Sequence, residues 1–320
     1  MFTRSVALAG LATFSVPRRG QDFPKRTITI VVPYPPGGPL DLLARLIAQE
    51  ARGELGQAIV VDYRAGGSGV IGSNAVAHAA PDGHTLVLGT NQTHATNQSL
   101  IKNCPYDAMR DFAPVAGIAR MPHVLVVHRD SAISSVHELI ATAKENPGLT
   151  FGSTGNGSGS HLAGELFKMK AGIALPHVPF KGLAPMTSEL VAGRIDLSIA
   201  PLPGLIAKLI EAGTLRALGM ASAQRTPQLA SVPTLAEGGI AGVEADAWSA
   251  LFAPANTPAP VIARLYDAVA AAFSQDQIRA LAAKQGIPIA LQTPAQLADS
   301  LPDEIEKWAD VIEAANVMVN

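Results

Sequence analysis

The chain has 320 residues, 48% hydrophobic and 16% charged, with a net charge of −2 and a pI near 6.4. That length holds about two domains with a sizeable core, and the apolar share excludes a disordered chain. No Lys/Arg-rich block is present, which excludes the electrostatic footprint of a nucleic-acid or anionic-membrane binder, and a single cysteine, Cys104, excludes an intrachain disulfide or thiolate metal cluster.

Arg4 precedes a short apolar run, Ser5 to Val16. It is too short to span a bilayer and suits the apolar segment of a signal peptide over residues 1–21, with an atypical cleavage site near Thr13-Phe14-Ser15. From Thr27 strand and helix patterns alternate. Strands are predicted over Ile28 to Val32, Ile59 to Tyr63 and Thr85 to Gly89, with helices over Asp41 to Glu54 and Ile71 to Ala79 between them. This βαβαβ order predicts a parallel sheet covered on both faces.

A second α/β set follows. Its strands are Val124 to His128, Thr150 to Ser153, His177 to Phe180, Ile195 to Ile199 and Leu215 to Met220. Ser134 is read as the N-cap of a helix reaching Asn146, and a further helix covers Ser160 to Lys170. The tail reads as helical and without strands of its own, packing back on the first unit. Thr257-Pro258 and Thr293-Pro294 are its start signals, and Pro302 is expected to kink or split the last helix. The expected units are 22–122 plus 247–320, and 123–246, with crossings near residues 120 and 245.

Two glycine-rich segments each join a strand to a helix. In Pro33-Tyr-Pro-Pro-Gly-Gly-Pro-Leu-Asp41 the candidate binding residues are Tyr34, Pro36, Gly37, Gly38 and Asp41. In Gly152-Ser-Thr-Gly-Asn-Gly-Ser-Gly-Ser-His161 they are Ser153, Gly155, Gly157, Ser158 and His161. Glycine lets a ligand approach the backbone, and free N–H groups at a helix start attract an anion. Either segment is alternatively an ordinary turn, with Asp41 a helix cap and His161 a local packing residue. Two such helix starts, one per unit, are expected to face each other beyond the carboxyl ends of the strands. Asn91 and Thr93, in the polar loop after the third strand, and Lys181, after His177 to Phe180, occupy comparable positions.

Gly67, Gly69 and Gly72 match G-x-G-x-x-G, but the acidic residue expected about 20 positions later is missing, so a dinucleotide-dependent enzyme is the weaker alternative. Ser158 and His161 lack an orienting acid for nucleophilic catalysis. No cofactor, no metal and no enzymatic activity are expected.

Once these motifs are placed, the chain after its leader resembles the Bug-type substrate-binding proteins of the tripartite tricarboxylate transporter family. The matching residues are Ile30-Val-Val-Pro-Tyr-Pro-Pro-Gly-Gly38, Asp41, Ala44-Arg45, Pro81-Asp-Gly-His-Thr-Leu86, Pro105-Tyr-Asp107, Asp111-Phe112, Gly157-Ser158, His161-Leu162, Gly164-Glu-Leu166, Val178-Pro-Phe-Lys-Gly182, Gly213-Thr-Leu-Arg-Ala-Leu218, Val232-Pro-Thr-Leu-Ala-Glu237 and Glu306-Lys-Trp308. The resemblance implies a two-domain α/β periplasmic-binding-protein type II fold that closes on its ligand. It implies a periplasmic receptor that passes a small carboxylate (a di- or tricarboxylate, an aromatic carboxylate or an amino acid) to membrane permease subunits of the transporter; a monomer is expected. It also implies that backbone N–H groups of Gly37, Gly38 and Ser153 to Ser158 hold the carboxylate. A sensor subunit presenting its ligand to a kinase is the alternative use of the same fold. Ser188 stands where the family usually carries an acidic residue.

Overall fold

The computed structural model describes residues 23–319; the leader expected over 1–21 lies outside them. Two sheets organise the chain. The first has six strands in the order β11-β4-β10-β3-β1-β2 and the second five, β7-β6-β8-β5-β9.

The first sheet begins with β1 (Ile28–Val32), α1 (Pro39–Leu55), β2 (Ile59–Tyr63), α2 (Val70–Ala77) and β3 (Thr85–Thr90). The β-branched run of β1 is buried along nearly its whole length because the strand lies between β2 and β3, parallel to both. A wide π turn (Gln92–Thr96) and the short α3 (Asn97–Leu100) lead to β4 (Phe112–Met121).

Pro122 alone separates β4 from β5 (His123–His128), which belongs to the second sheet. The second unit continues with α4 (Val136–Glu145), β6 (Phe151–Ser153), α5 (Gly159–Ala171), β7 (His177–Pro179), α6 (Leu183–Val191), β8 (Leu197–Pro201), α7 (Leu205–Glu211) and β9 (Leu215–Met220). Strand β6 is parallel to β7 and β8, whereas β5 runs antiparallel to β8 and β9.

The chain returns through β10 (Ala247–Pro254), then α8 (Ala259–Ser274), α9 (Asp276–Lys284), β11 (Ile289–Gln292) and α10 (Pro294–Ala314). Strand β10 fills the space between β3 and β4 and is antiparallel to both, so the first sheet is mixed rather than parallel. Its inner residues are buried on both faces, which is why the run Trp248–Pro254 shows no alternation. Strand β11 adds to the β4 edge. The tail therefore contributes strands, contrary to the helical reading.

Local signals were read with small displacements. Ser135, not Ser134, caps α4, while Ser134 bonds the Glu138 carboxylate through its N–H and hydroxyl. Thr257 donates its hydroxyl to the Pro254 carbonyl, and Pro258 is the N-cap of α8. Thr293 and Gln296 form a full capping box on α10, which runs through Pro302 as one helix. That helix packs on β4 and also reaches α5 of the second unit, so Trp308, Val311 and Ile312 share one core with Leu162 and Leu166.

Candidate functional site

A cleft of about 550 Å³ opens between the units, beyond the carboxyl ends of β1, β3 and β6. From the first unit, Tyr34, Pro36, Gly38, Asp41 and Asn91 reach its wall, and from the second, Gly157. These are six of the residues singled out in the sequence. The wall also carries Thr154, within the segment whose amides the resemblance implied, and Thr90, Gln92, His123, Ser160 and Trp308, which were not among the candidate binding residues.

The other selected residues stand elsewhere. Gly37 borders a smaller neighbouring depression beside Arg45 and Leu281. Thr93 is fully buried and accepts the Thr90 N–H at 2.9 Å, fixing the turn after β3. Ser153 is buried under the α5 loop, 2.6 Å from His177 Nε2, and its hydroxyl accepts the Gly155 N–H. Ser158 is the N-cap of α5 and accepts the His161 N–H. His161 is sealed behind the wall, its ring stacked 3.7 Å from that of His177. Lys181 is exposed and does not line the cleft.

The backbone donors are also redistributed. Gly37 N–H donates to Asp41 Oδ2 at 2.8 Å. In the second loop, Thr154 N–H donates to Ser160 Oγ, Gly157 N–H to His161 Nδ1 and Ser158 N–H to the Gly155 carbonyl. These amides are spent on shaping the loops. The first intrahelical bonds are Leu42 N–H to Gly38 O in α1 and Leu162 N–H to Ser158 O in α5. Five amides, those of Gly38, Leu40, Asp41, Gly159 and Ser160, have no partner among the described residues, and all five residues line the cleft. Three thus come from the first unit and two from the second.

Side chains set the rest of the electrostatics. Tyr34 donates to Gln92 Oε1 and lies beside Thr90 Oγ1, both at 3.1 Å, and burial pushes its hydroxyl up to about 12. Asp41 accepts from Tyr63 at 2.5 Å, Arg45 at 2.6 Å and Gly37. The Tyr63 hydrogen bond leads in holding its carboxyl below the ordinary value, with Arg45 and Gly37 assisting against burial. His123 is 3% exposed; burial pushes its imidazole down to about 4, and Nδ1 has no hydrogen-bond partner.

The glycines Gly67 and Gly69 form a single tight turn, and a Cβ on Gly69 would lie 2.5 Å from Thr93 Cγ2 and 3.4 Å from Tyr34. Close packing behind the cleft accounts for this G-x-G, with no pyrophosphate needed.

Asp41→Asn is expected to lower the melting temperature at neutral pH, because a neutral amide oxygen replaces an anion accepting three donors. Hydrogen bonds to a charge contribute about 1.5–3 kcal/mol each, and the exposed Arg45 pair much less, so Gly37 and Tyr63 dominate the loss. A carboxyl with a depressed folded pKa stabilises above its unfolded pKa, and that contribution is lost as pH falls through the folded value. The difference between wild type and variant in thermal melts should therefore shrink towards about pH 3. Equal gaps at both pH values would count against this role.

The model of the tripartite tricarboxylate transporter family receptors matches residues 43–317. A protein of the tcbD–tcbE intergenic region of Pseudomonas sp. (strain P51) is 40% identical over 309 residues, covering 96% of this chain and 91% of that protein. Protein BugT of Bordetella pertussis is 35% identical over 316 residues, 97% of each chain. Among solved structures, a TctC solute binding protein from Polaromonas is 28% identical with a TM-score of 0.83, covering 91% of this chain and 99% of the other. An R. palustris protein solved with adipate is 38% identical with a TM-score of 0.75, covering 93% of this chain and 100% of the other. A two-unit α/β fold with a cleft between its sheets, and similarity along nearly the whole chain, place this protein in the receptors of the tripartite tricarboxylate transporter family, as its likeness to the Bug-type proteins implied.

Proposed function

We propose that the chain is an exported, non-enzymatic receptor that captures a small carboxylate in the cleft between its units and delivers it to the membrane permease subunits of a tripartite tricarboxylate-type transporter. The observation that carries this reading is the convergence of five unspent N–H groups on one cleft, those of Gly38, Leu40 and Asp41 at the start of α1 and of Gly159 and Ser160 at the start of α5. Such groups bind anions without needing a side-chain charge, and because they come from opposite units a bound carboxylate draws the units together. The relative solved with adipate supports the ligand class.

The units are taken as 22–122 plus 247–320 and 123–246, hinged at Pro122 and Asp246, and the receptor acts as a monomer in the periplasm. The binding residues are taken as Tyr34, Pro36, Gly38, Asp41, Asn91, Gly157 and Ser160, with the Gly37 and Ser158 amides shaping the loops. Turnover is disfavoured by geometry, since Ser158 Oγ faces the backbone N–H of His161 and the imidazole is engaged with Gly157.

A thermal-shift screen against carboxylates, followed by small-angle scattering, tests the reading. A ligand at 100 times its dissociation constant is expected to add about 2.7 kcal/mol of stability. The radius of gyration should fall on saturation. Stabilisation by neutral sugars alone, or an unchanged radius with a tight carboxylate, would overturn it.

A further inference from the structure

We propose that His161 and His177 are positioning residues beneath the cleft: the bare Nδ1 of His161 anchors the Gly157 amide, and proton uptake there releases the α5 loop and weakens ligand binding. The inference rests on the reading of the cleft as a ligand site. The loop before and into α5 brings Thr154, Gly157, Gly159 and Ser160 to the wall of the second unit. Two imidazoles hold this loop from behind. Gly157 N–H donates to His161 Nδ1 at 3.0 Å. Ser153 Oγ accepts the Gly155 N–H and lies 2.6 Å from His177 Nε2. The two rings are stacked, with centroids 3.7 Å apart and planes 7° from parallel, and Phe151 stacks against His177 at 4.8 Å.

An amide N–H donates only to a ring nitrogen that carries no proton. The Gly157 bond therefore fixes His161 as the neutral tautomer with its hydrogen on Nε2. A second proton has to enter at Nδ1, where it meets the Gly157 N–H head-on, because an imidazolium offers donors only. Gly157 is tightly packed, since a Cβ on it would lie 2.5 Å from Val319 Cγ2. The displaced amide has no slack on that side and carries its cleft-lining neighbours with it.

The charged surroundings decide which ring takes the proton. Glu165 Oε1 is 3.7 Å from His161 Nε2, and Lys168 Nζ bonds the two Glu165 oxygens at 2.8 and 2.7 Å. Burial works to raise the Glu165 carboxyl, but His161 and Lys168 outweigh it and hold it below the ordinary value. An ionised Glu165 favours an imidazolium on His161. Burial, assisted by His161 and Lys168, pushes His177 down to about 4, so it stays neutral and the stack carries at most one charge. Strands β6 and β8 bring no titratable side chain to α5, and α10 packs Trp308, Val311 and Ile312 on its side of the shared core. Glu306 and Asp310 of α10 line a separate depression with Lys170. His123 faces Gly159, and burial pushes it down to about 4.

Ligand and proton then compete for one loop geometry. The coupling is reciprocal, so ligand binding expels the proton to the degree that the proton weakens binding. Affinity is full where His161 is neutral and falls as pH drops through its titration.

Calorimetry on the full chain with adipate as the probe, between about pH 8 and 5.5, tests this on three chains: wild type, His161→Asn and Glu165→Gln. The probe's own ionisation is common to all three and cancels in the comparison. Wild-type affinity is expected to fall at least about tenfold more than that of His161→Asn, whose amide oxygen replaces Nδ1 with an acceptor that takes no proton. Glu165→Gln, which removes the counter-charge but leaves the ring, should shift the fall to lower pH by about one unit. Circular dichroism checks that both variants are folded. In parallel, nitrogen NMR of the wild-type chain without ligand should show the Gly157 amide resonance moving with the His161 imidazole. Parallel affinity profiles for the three chains, or a Gly157 amide that ignores the imidazole titration, would overturn the proposal and leave the receptor reading intact. If adipate binds none of the chains at pH 8, the reading of the cleft fails for this probe, and the Gly157 resonance alone decides whether proton and loop are coupled.

Discussion

Gly159→Asp is expected to leave the chain folded and to weaken carboxylate binding by about a hundredfold or more. Gly159 is the first residue of α5 and lines the cleft. Its backbone needs no left-handed conformation, and an added Cβ meets only His123 ring atoms at 3.7 and 3.8 Å, an ordinary contact. An acidic residue at a helix start also favours the dipole, so stability should hold or rise slightly. The same carboxylate competes for the Gly159 and Ser160 amides and repels an incoming anion where partial desolvation lowers the effective dielectric. Losing two charge-assisted hydrogen bonds at about 1.5–3 kcal/mol each exceeds the roughly 2.7 kcal/mol that a hundredfold requires. Gly159→Ala keeps both amides and should change affinity only a few-fold. Calorimetry showing a folded Asp variant with wild-type affinity would move the anion site away from α5.

Trp308→Ala should reduce stability and binding together, by contrast. The indole is 2% exposed and closes the floor of the cleft against the core that joins α10 to α5. Its Nε1–H donates to Glu304 Oε2 at 3.1 Å, an oxygen that also accepts from Trp248 Nε1 at 3.2 Å. Lys307 bonds the other Glu304 oxygen at 2.6 Å, so removing Trp308 strands no charge. The lost volume therefore dominates, and large-to-small changes of this size cost about 3–5 kcal/mol. Trp308→Phe should recover much of that. Denaturant unfolding within about 1 kcal/mol of wild type would mean that the site collapses and fills the gap.

Much of the scaffold is legible in the chain. The bounds of β1 and β2 follow from short runs rich in β-branched residues, β9 lies at its expected bounds after the Gly213-Thr214 turn, and Thr293-Pro294 opens α10 at the expected place. The chain passes from β4 of the first sheet to β5 of the second across Pro122 and rejoins the first sheet with β10 at Ala247. What escapes the sequence is which loop amides remain free. That depends on Asp41, Ser160 and His161 turning back on their own loops, a matter of tertiary geometry. Trp308 belongs to an apolar helical stripe, so its periodicity announces core and hides its second face on the cleft. His123 left one usable signal, a polar ring straight after the crossing proline, at the start of an otherwise apolar strand. Strand β11 is four residues long and all half-buried, too weak a pattern to stand against the helices around it.

The late arrival of β10 has a consequence for biosynthesis. This strand fills the middle of the first sheet, yet it follows the whole of the second unit in the chain. A chain made from its N-terminus leaves the β3 edge bare while β5 through β9 are assembled, and the gap closes only when Pro254 has been reached. Pairing β3 with β10 carries the loop-closure entropy of everything between them, which makes it a slow, non-local step. The inserted unit has no such debt, since all its strand partners lie within its own segment. The half of the molecule that is synthesised first is thus the half that is completed last.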